Sequence, residues 1–218
     1  MRKHVKLRKP VFTQLKVGNV KGKIIPFHPI WVRVFHWGFA LSLTVILLTG
    51  LELHKPASFL VLNYGEVLTA HIAFAWFALG FVAIRIADAL IRRDHSLIPN
   101  LQDLKYFPKL MAYYFFLRSD PPPCRKYNSG QILIYSSWVL FFLVASLLGL
   151  ASYWQGQHLL GIWRLVGGFQ VLRWIKFMIC IYFLATIPIH LYLLLTENLS
   201  HLQAMITGYE RKPPPNNS

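Results

Sequence analysis

The stretch RWIKFMICIYFLATIPIH, residues 173–190, is almost wholly apolar, yet it carries an ionisable side chain near each end, Lys176 and His190. A helix crossing a ~30 Å hydrocarbon layer needs roughly 20 such residues at 1.5 Å each. Three other blocks reach that length, giving apolar spans at about 30–53, 67–91, 131–154 and 174–196. The pattern predicts an all-α integral membrane protein, a bundle of four transmembrane helices. Inside lipid an ionisable group is costly, and each one is a functional hypothesis by default.

The composition fits that class. Of the 218 residues, 55% are hydrophobic and 14% charged, against roughly 25% charged in average soluble domains. The formal net charge of +15 suggests nucleic acid, but its distribution follows topology. Eight Lys/Arg precede Trp31, seven lie between Arg92 and Gly130, and Arg211 and Lys212 close the chain. The two other loops hold only Lys55, Arg164 and Arg173. Positive loops stay in the cytoplasm, which predicts a multi-pass protein of the bacterial inner membrane with both termini and the central loop cytoplasmic. Anionic lipid or an acidic partner also suits the basic excess. Nucleic-acid binding would need basic and aromatic residues on a folded soluble face, and no such domain exists in the sequence.

Cys124 and Cys180 are too few for an iron–sulphur cluster or a structural zinc, and their places in a loop and a span argue against a disulfide. The first apolar run is too long for a signal-peptide core and reads as an uncleaved span. Three regions follow: a basic cytoplasmic arm (1–29), a four-helix membrane domain (30–208) and a disordered tail (209–218). The aromatic segment 103–117 is too short to cross and is placed in the interface, as is the outer stretch 159–172.

Three histidines lie inside spans: His36 in the first, His71 in the second and His190 in the fourth. His36 sits about two turns from the cytoplasmic start of its span, and His190 about two turns from the cytoplasmic end of its own, so they can face each other at one level. His71 and Lys176 share the opposite, outer level. Fourteen residues separate Lys176 from His190. At ~100° per residue they fall within ~40° of one face, ~21 Å apart along the axis. That is the layout of a membrane cytochrome with two haems held by side chains of different helices. Gly38, Ala40, Ala70, Ala73, Ala75 and Ala185 lie near these histidines, where a macrocycle would press and where ordinary helix packing also favours small residues. Arg33 and Arg85 would suit haem propionates, with snorkelling to lipid phosphate as the other reading.

RVFHWGFALSLTVILLTG, AHIAFAWFALGFVAIRIAD, KYNSGQ and IPIHLYLLL together resemble the b-type cytochrome (gamma) subunits of membrane formate dehydrogenases and nickel–iron hydrogenases. The resemblance covers nearly all of residues 30–208, and KYNSGQ is its most specific part. It implies two b haems, His36 and His190 as ligands of the inner one and His71 as one ligand of the outer one. It also implies a quinone, menaquinone or ubiquinone, beside the inner haem at the loop of Asn128, Gly130 and Gln131. The implied partner is an iron–sulphur or cytochrome c subunit of an oxidoreductase on the outer face, so the chain would be a quinone-reactive electron-transfer subunit and not catalytic alone. One position departs: Lys176 stands where the family has a histidine. Either Lys176 is itself a ligand through a neutral amine, or it pairs with a propionate while His54 or His158 completes the site, or one haem is present and Lys176 snorkels outward. A haem-free anchor or a proton or metal transporter is the alternative of a different class. His95 and His201 lie outside the spans.

Overall fold

The computed structural model describes residues 23–54, 62–96, 98–124, 127–153, 164–197 and 199–212. His158 lies outside them, as does most of the basic arm. A short strand β1 (Lys23–Pro26) leads into α1 (Ile30–His54) and α2 (Tyr64–Arg92). The helix α3 (Leu101–Tyr114) is followed by α4 (Ser129–Tyr153), α5 (Phe169–Glu197), α6 (Leu199–Thr207) and the strand β2 (Tyr209–Lys212). The four long helices, α1, α2, α4 and α5, are each apolar and long enough to cross a membrane.

Two of these helices begin earlier than their apolar runs because polar residues start them. Asn63 caps α2: its side chain accepts from Glu66 N at 3.0 Å, and Glu66 returns a bond to Asn63 N at 2.9 Å. Asn128 and Gln131 do the same for α4. Such reciprocal pairs satisfy backbone donors that a helix start leaves open. Ahead of α5, Gly167 (φ 88°) and Gly168 (φ 105°) form the turn, in a region where a side chain would be strained.

In cross-section α1 packs on α2 and α5, and α4 packs on α5 and more sparsely on α2, which closes a ring of four. Leu43 and Leu47, Ala78 and Val82, Phe142, and Ile179 and Phe183 from those four helices form one buried apolar cluster. It lies at mid-depth, between the level of His36 and His190 and the level of His71 and Lys176. Outward, Leu41, Trp76, Phe77, Leu140, Trp174 and Ile189 are exposed. An apolar exterior around a small core is what lipid, and not water, would solvate.

The segment expected in the interface is α3, opened by an Asn100–Asp103 capping box and packed on the start of α4. The end of the chain differs from expectation. Residues 209–212 are not part of a disordered tail: β2 pairs antiparallel with β1, Lys23 opposite Lys212 and Pro26 opposite Tyr209. Both ends of the membrane domain therefore lie on one side, called the inner side below.

Candidate functional site

At the inner level, His36 on α1 and His190 on α5 come within electrostatic reach of each other. The hydroxyl of Tyr135 on α4 lies 3.3 Å from His190 Nδ1. Trp138, one turn further along α4, flanks the same imidazole with ring centroids 5.5 Å apart. It is fixed there by a 2.9 Å bond from its Nε1–H to Thr186 Oγ1. His36 Nδ1 is buried with no hydrogen-bond partner, and so is Arg33 Nε one turn earlier. Leaving such a group unpaired costs about 1–3 kcal/mol, which a bound group could recover. Two imidazoles on facing helices beside an unpaired guanidinium nitrogen form a donor set that fits a haem iron and a propionate.

Arg33 also donates through another nitrogen to the Ile206 carbonyl at the end of α6. Arg85 forms ion pairs within the protein, with Asp88 at 3.6 Å and Asp94 at 3.5 Å, while its Nη1 is buried without a hydrogen-bond partner. Asp94 reaches it because Arg93 (φ 52°) ends α2 in a left-handed turn that folds the chain back. That is an anionic environment different from both the propionate and the lipid phosphate.

At the outer level, His71 on α2 and Lys176 on α5 come within electrostatic reach. Each meets a hydroxyl on a third or fourth helix: His71 Nδ1 lies 2.9 Å from Thr49 Oγ1, and Lys176 Nζ lies 2.9 Å from Ser152 Oγ. His54 stacks on Phe177 at 4.0 Å and meets Trp174 edge-on at 5.7 Å. On a helical wheel those two residues point about 130° away from Lys176. His54 is thus placed on another face of α5, away from the position opposite His71.

The KYNSGQ loop adjoins the inner level. The Tyr127 ring meets the Tyr135 ring at 6.2 Å, and Tyr135 bonds His190. Asn128 and Gln131 use their side-chain oxygens in the cap of α4, which leaves each with an NH₂ group that can donate elsewhere. Gly130 has a packing reason: a Cβ there would come within 3.0 Å of Leu110 Cδ2 on α3. Gly38 likewise serves packing between α1 and α2, since a Cβ would strike the Phe81 ring at 2.3 Å. His95 is exposed beyond α2. His201 lies on α6 against Phe27 and 3.8 Å from Glu210, apart from both levels.

Thr49, Tyr135, Trp138 and Ser152 were not singled out from the sequence. The available signal was a polar side chain within an apolar span at the depth of an ionisable one. Among the described residues no group of three or more His, Cys, Asp and Glu side chains is arranged to hold a bare metal ion.

Residues 28–208 match the prokaryotic cytochrome b561 family, in agreement with the resemblance to the cytochromes of hydrogenases and formate dehydrogenases. No curated protein matches the chain significantly.

Proposed function

The chain belongs to the prokaryotic cytochrome b561 family, and on that premise we propose that it passes electrons between a quinone on the inner side and a partner oxidoreductase on the outer side. Family membership carries the general part: a multi-pass prokaryotic membrane protein that binds haem b and takes part in electron transfer. The haem-free alternatives find no support in it.

The observation behind the specific reading is the division into two polar levels by one apolar layer. His36 and His190 would hold the inner haem, with Arg33 Nε beside them for a propionate. His71 and Lys176 would hold the outer one. Bound haem supplies reversible one-electron chemistry, while the protein supplies ligands, orientation and a dry path. The apolar cluster between the levels keeps charged groups out of the middle of the bundle. Tyr127 and Tyr135 connect the loop of Asn128, Gly130 and Gln131 to His190. A quinone seated at that loop, with menaquinone or ubiquinone equally suited, would therefore lie beside the inner ligand, and NH₂ groups of Asn128 and Gln131 could bond its carbonyl. The seven Lys/Arg between Arg92 and Gly130 support a cytoplasmic inner side. An iron–sulphur or cytochrome c subunit would then dock outside.

The test is a haem count by pyridine haemochrome on purified full-length protein, with the reduced-minus-oxidised spectrum. Two b haems per chain are expected. One haem removes the outer site, and a colourless protein removes the whole reading.

A further inference from the structure

We infer that Thr49 and Ser152 are positioning residues that aim His71 and Lys176 at one shared iron, Thr49 by fixing the tautomer of the imidazole. The inference rests on the reading of the outer level as a haem site.

Thr49 is buried on α1. Its hydroxyl has one proton to give and lone pairs to receive. The proton is directed to the Val45 carbonyl at 2.6 Å, with the Ile46 carbonyl at 3.2 Å as a weaker second acceptor. With the proton so placed, the 2.9 Å contact with His71 Nδ1 runs the other way, from an Nδ1–H to the Thr49 oxygen, and this is the tautomer we assign. Neutral His71 is thereby the Nδ1–H tautomer, and the lone pair is left on Nε2. An imidazole that ligates a metal binds through its bare nitrogen while an acceptor behind it holds the other N–H. The imidazole also lies against α1 at Gly50, where a Cβ would stand in ordinary contact, 3.4 Å from His71 Cε1.

Ser152 repeats the device on α4. Its proton goes to the Leu148 carbonyl at 2.8 Å, and its oxygen accepts from Lys176 Nζ at 2.9 Å. Both hydroxyls are turned into acceptors by the carbonyl one turn back on their own helix. Both then hold a donor on a neighbouring helix, so α1 orients a group of α2 and α4 orients a group of α5. A longer, more flexible amine in place of an imidazole gains most from such a hold, since its own rotamers leave the nitrogen free to wander.

The experiment uses the full-length holoprotein and the variants Thr49→Val, Thr49→Ser and Ser152→Ala. The readouts are the low-spin electron paramagnetic resonance signal and midpoint potential of each haem, and the rate of haem loss to excess apomyoglobin. Thr49→Val, close in shape but without the hydroxyl, should release the outer haem roughly 10–100-fold faster and move its potential. The inner haem should be unchanged. Thr49→Ser keeps the acceptor and should restore both values. Ser152→Ala should alter the outer signal alone. Thr49→Ala carries the same comparison if valine disrupts packing, which loss of both haems would reveal. Two haems with an unmoved outer signal in Thr49→Val overturn the inference and leave the two-haem reading standing. A silent Ser152→Ala removes Ser152 from it. A wild-type count of one haem overturns both.

Discussion

Asn128→Ala and Asn128→Asp together separate the helix cap made by this side chain from the quinone contact proposed for it. Its Oδ1 accepts the Gln131 amide at 2.8 Å and so caps α4, while under the proposed function its NH₂ group would bond a quinone carbonyl. Alanine removes both. Loss of an asparagine cap costs about 1 kcal/mol of stability, within a range of roughly 0.5–2. In a chain of this size that is a fall of about 2–4 °C in the temperature at which the Soret band collapses. Aspartate keeps an oxygen for the cap and lacks only the NH₂ donor, so its stability should stay near wild type. A neutral hydrogen bond contributes about 0.5–1.5 kcal/mol net, so its loss should raise the KM for quinone roughly 2–13-fold in both variants. The assay is quinol-driven reduction of the haems, followed optically across quinol concentrations, with haem content measured in parallel. Wild-type KM in Asn128→Asp would refute the quinone contact and leave Asn128 as a cap alone. Loss of haem in Asn128→Asp would show that the loop acts on haem binding.

His190→Ala and His36→Ala should each remove the inner haem and end quinone-linked electron transfer, because an apolar side chain cannot donate to iron; a full haem count in either contradicts the inner pairing. Lys176→Ala should change the low-spin spectrum of the outer haem, and an unchanged spectrum excludes lysine ligation. Gly38→Ala should destabilise the bundle by about 1–3 kcal/mol, read as earlier thermal loss of the Soret band, since its Cβ would press on Phe81. His95→Ala and His201→Ala should leave both haem spectra unchanged.

The spans were legible because lipid imposes a length and forbids most polar residues, so 173–190 and its three counterparts stand out by composition alone. Their ends were less so. Asn63, Glu66 and Asn128 are polar residues that hydropathy leaves outside the spans, while their side chains, with that of Gln131, start the helices. Depth arithmetic put His36 level with His190 and His71 level with Lys176, since position along a helix fixes level, and each pair comes within electrostatic reach. It could not reveal Tyr135, Thr49 or Ser152. A hydroxyl in an apolar helix usually bonds its own preceding turn, and these do so while also serving a neighbour. Nor could depth arithmetic reveal the second carboxylate beside Arg85, because Asp94 lies beyond the span and returns only through the left-handed turn at Arg93.

The pairing of KIIP with YERK had no sequence signal, since both strands are four residues long and stand at opposite ends of the chain. Its position ties it to the level of His36 and His190. Helices α1 and α5 share less contact than α1 and α2, and in lipid no hydrophobic force sets their register. The depth of His36 relative to His190 must be fixed by something else. Trp37 donates to the Met205 carbonyl at 3.1 Å and Arg33 to that of Ile206, both at the open end of α6. Such terminal carbonyls lack helical donors and attract a cation. Phe27 N and His28 N then bond the Gly208 carbonyl at 2.9 and 3.2 Å. Gly208 (φ 90°) is the residue that permits this, because a Cβ there would lie 3.0 Å from Arg33 Nη1 and 3.2 Å from the His28 carbonyl. Arg33, Trp37 and the sheet thus lock the start of α1 to α6 and β2, the segments that follow α5. The two inner imidazoles are therefore held at one depth partly from outside the membrane layer, in addition to the packing of Leu43 and Leu47 against Ile179 and Phe183.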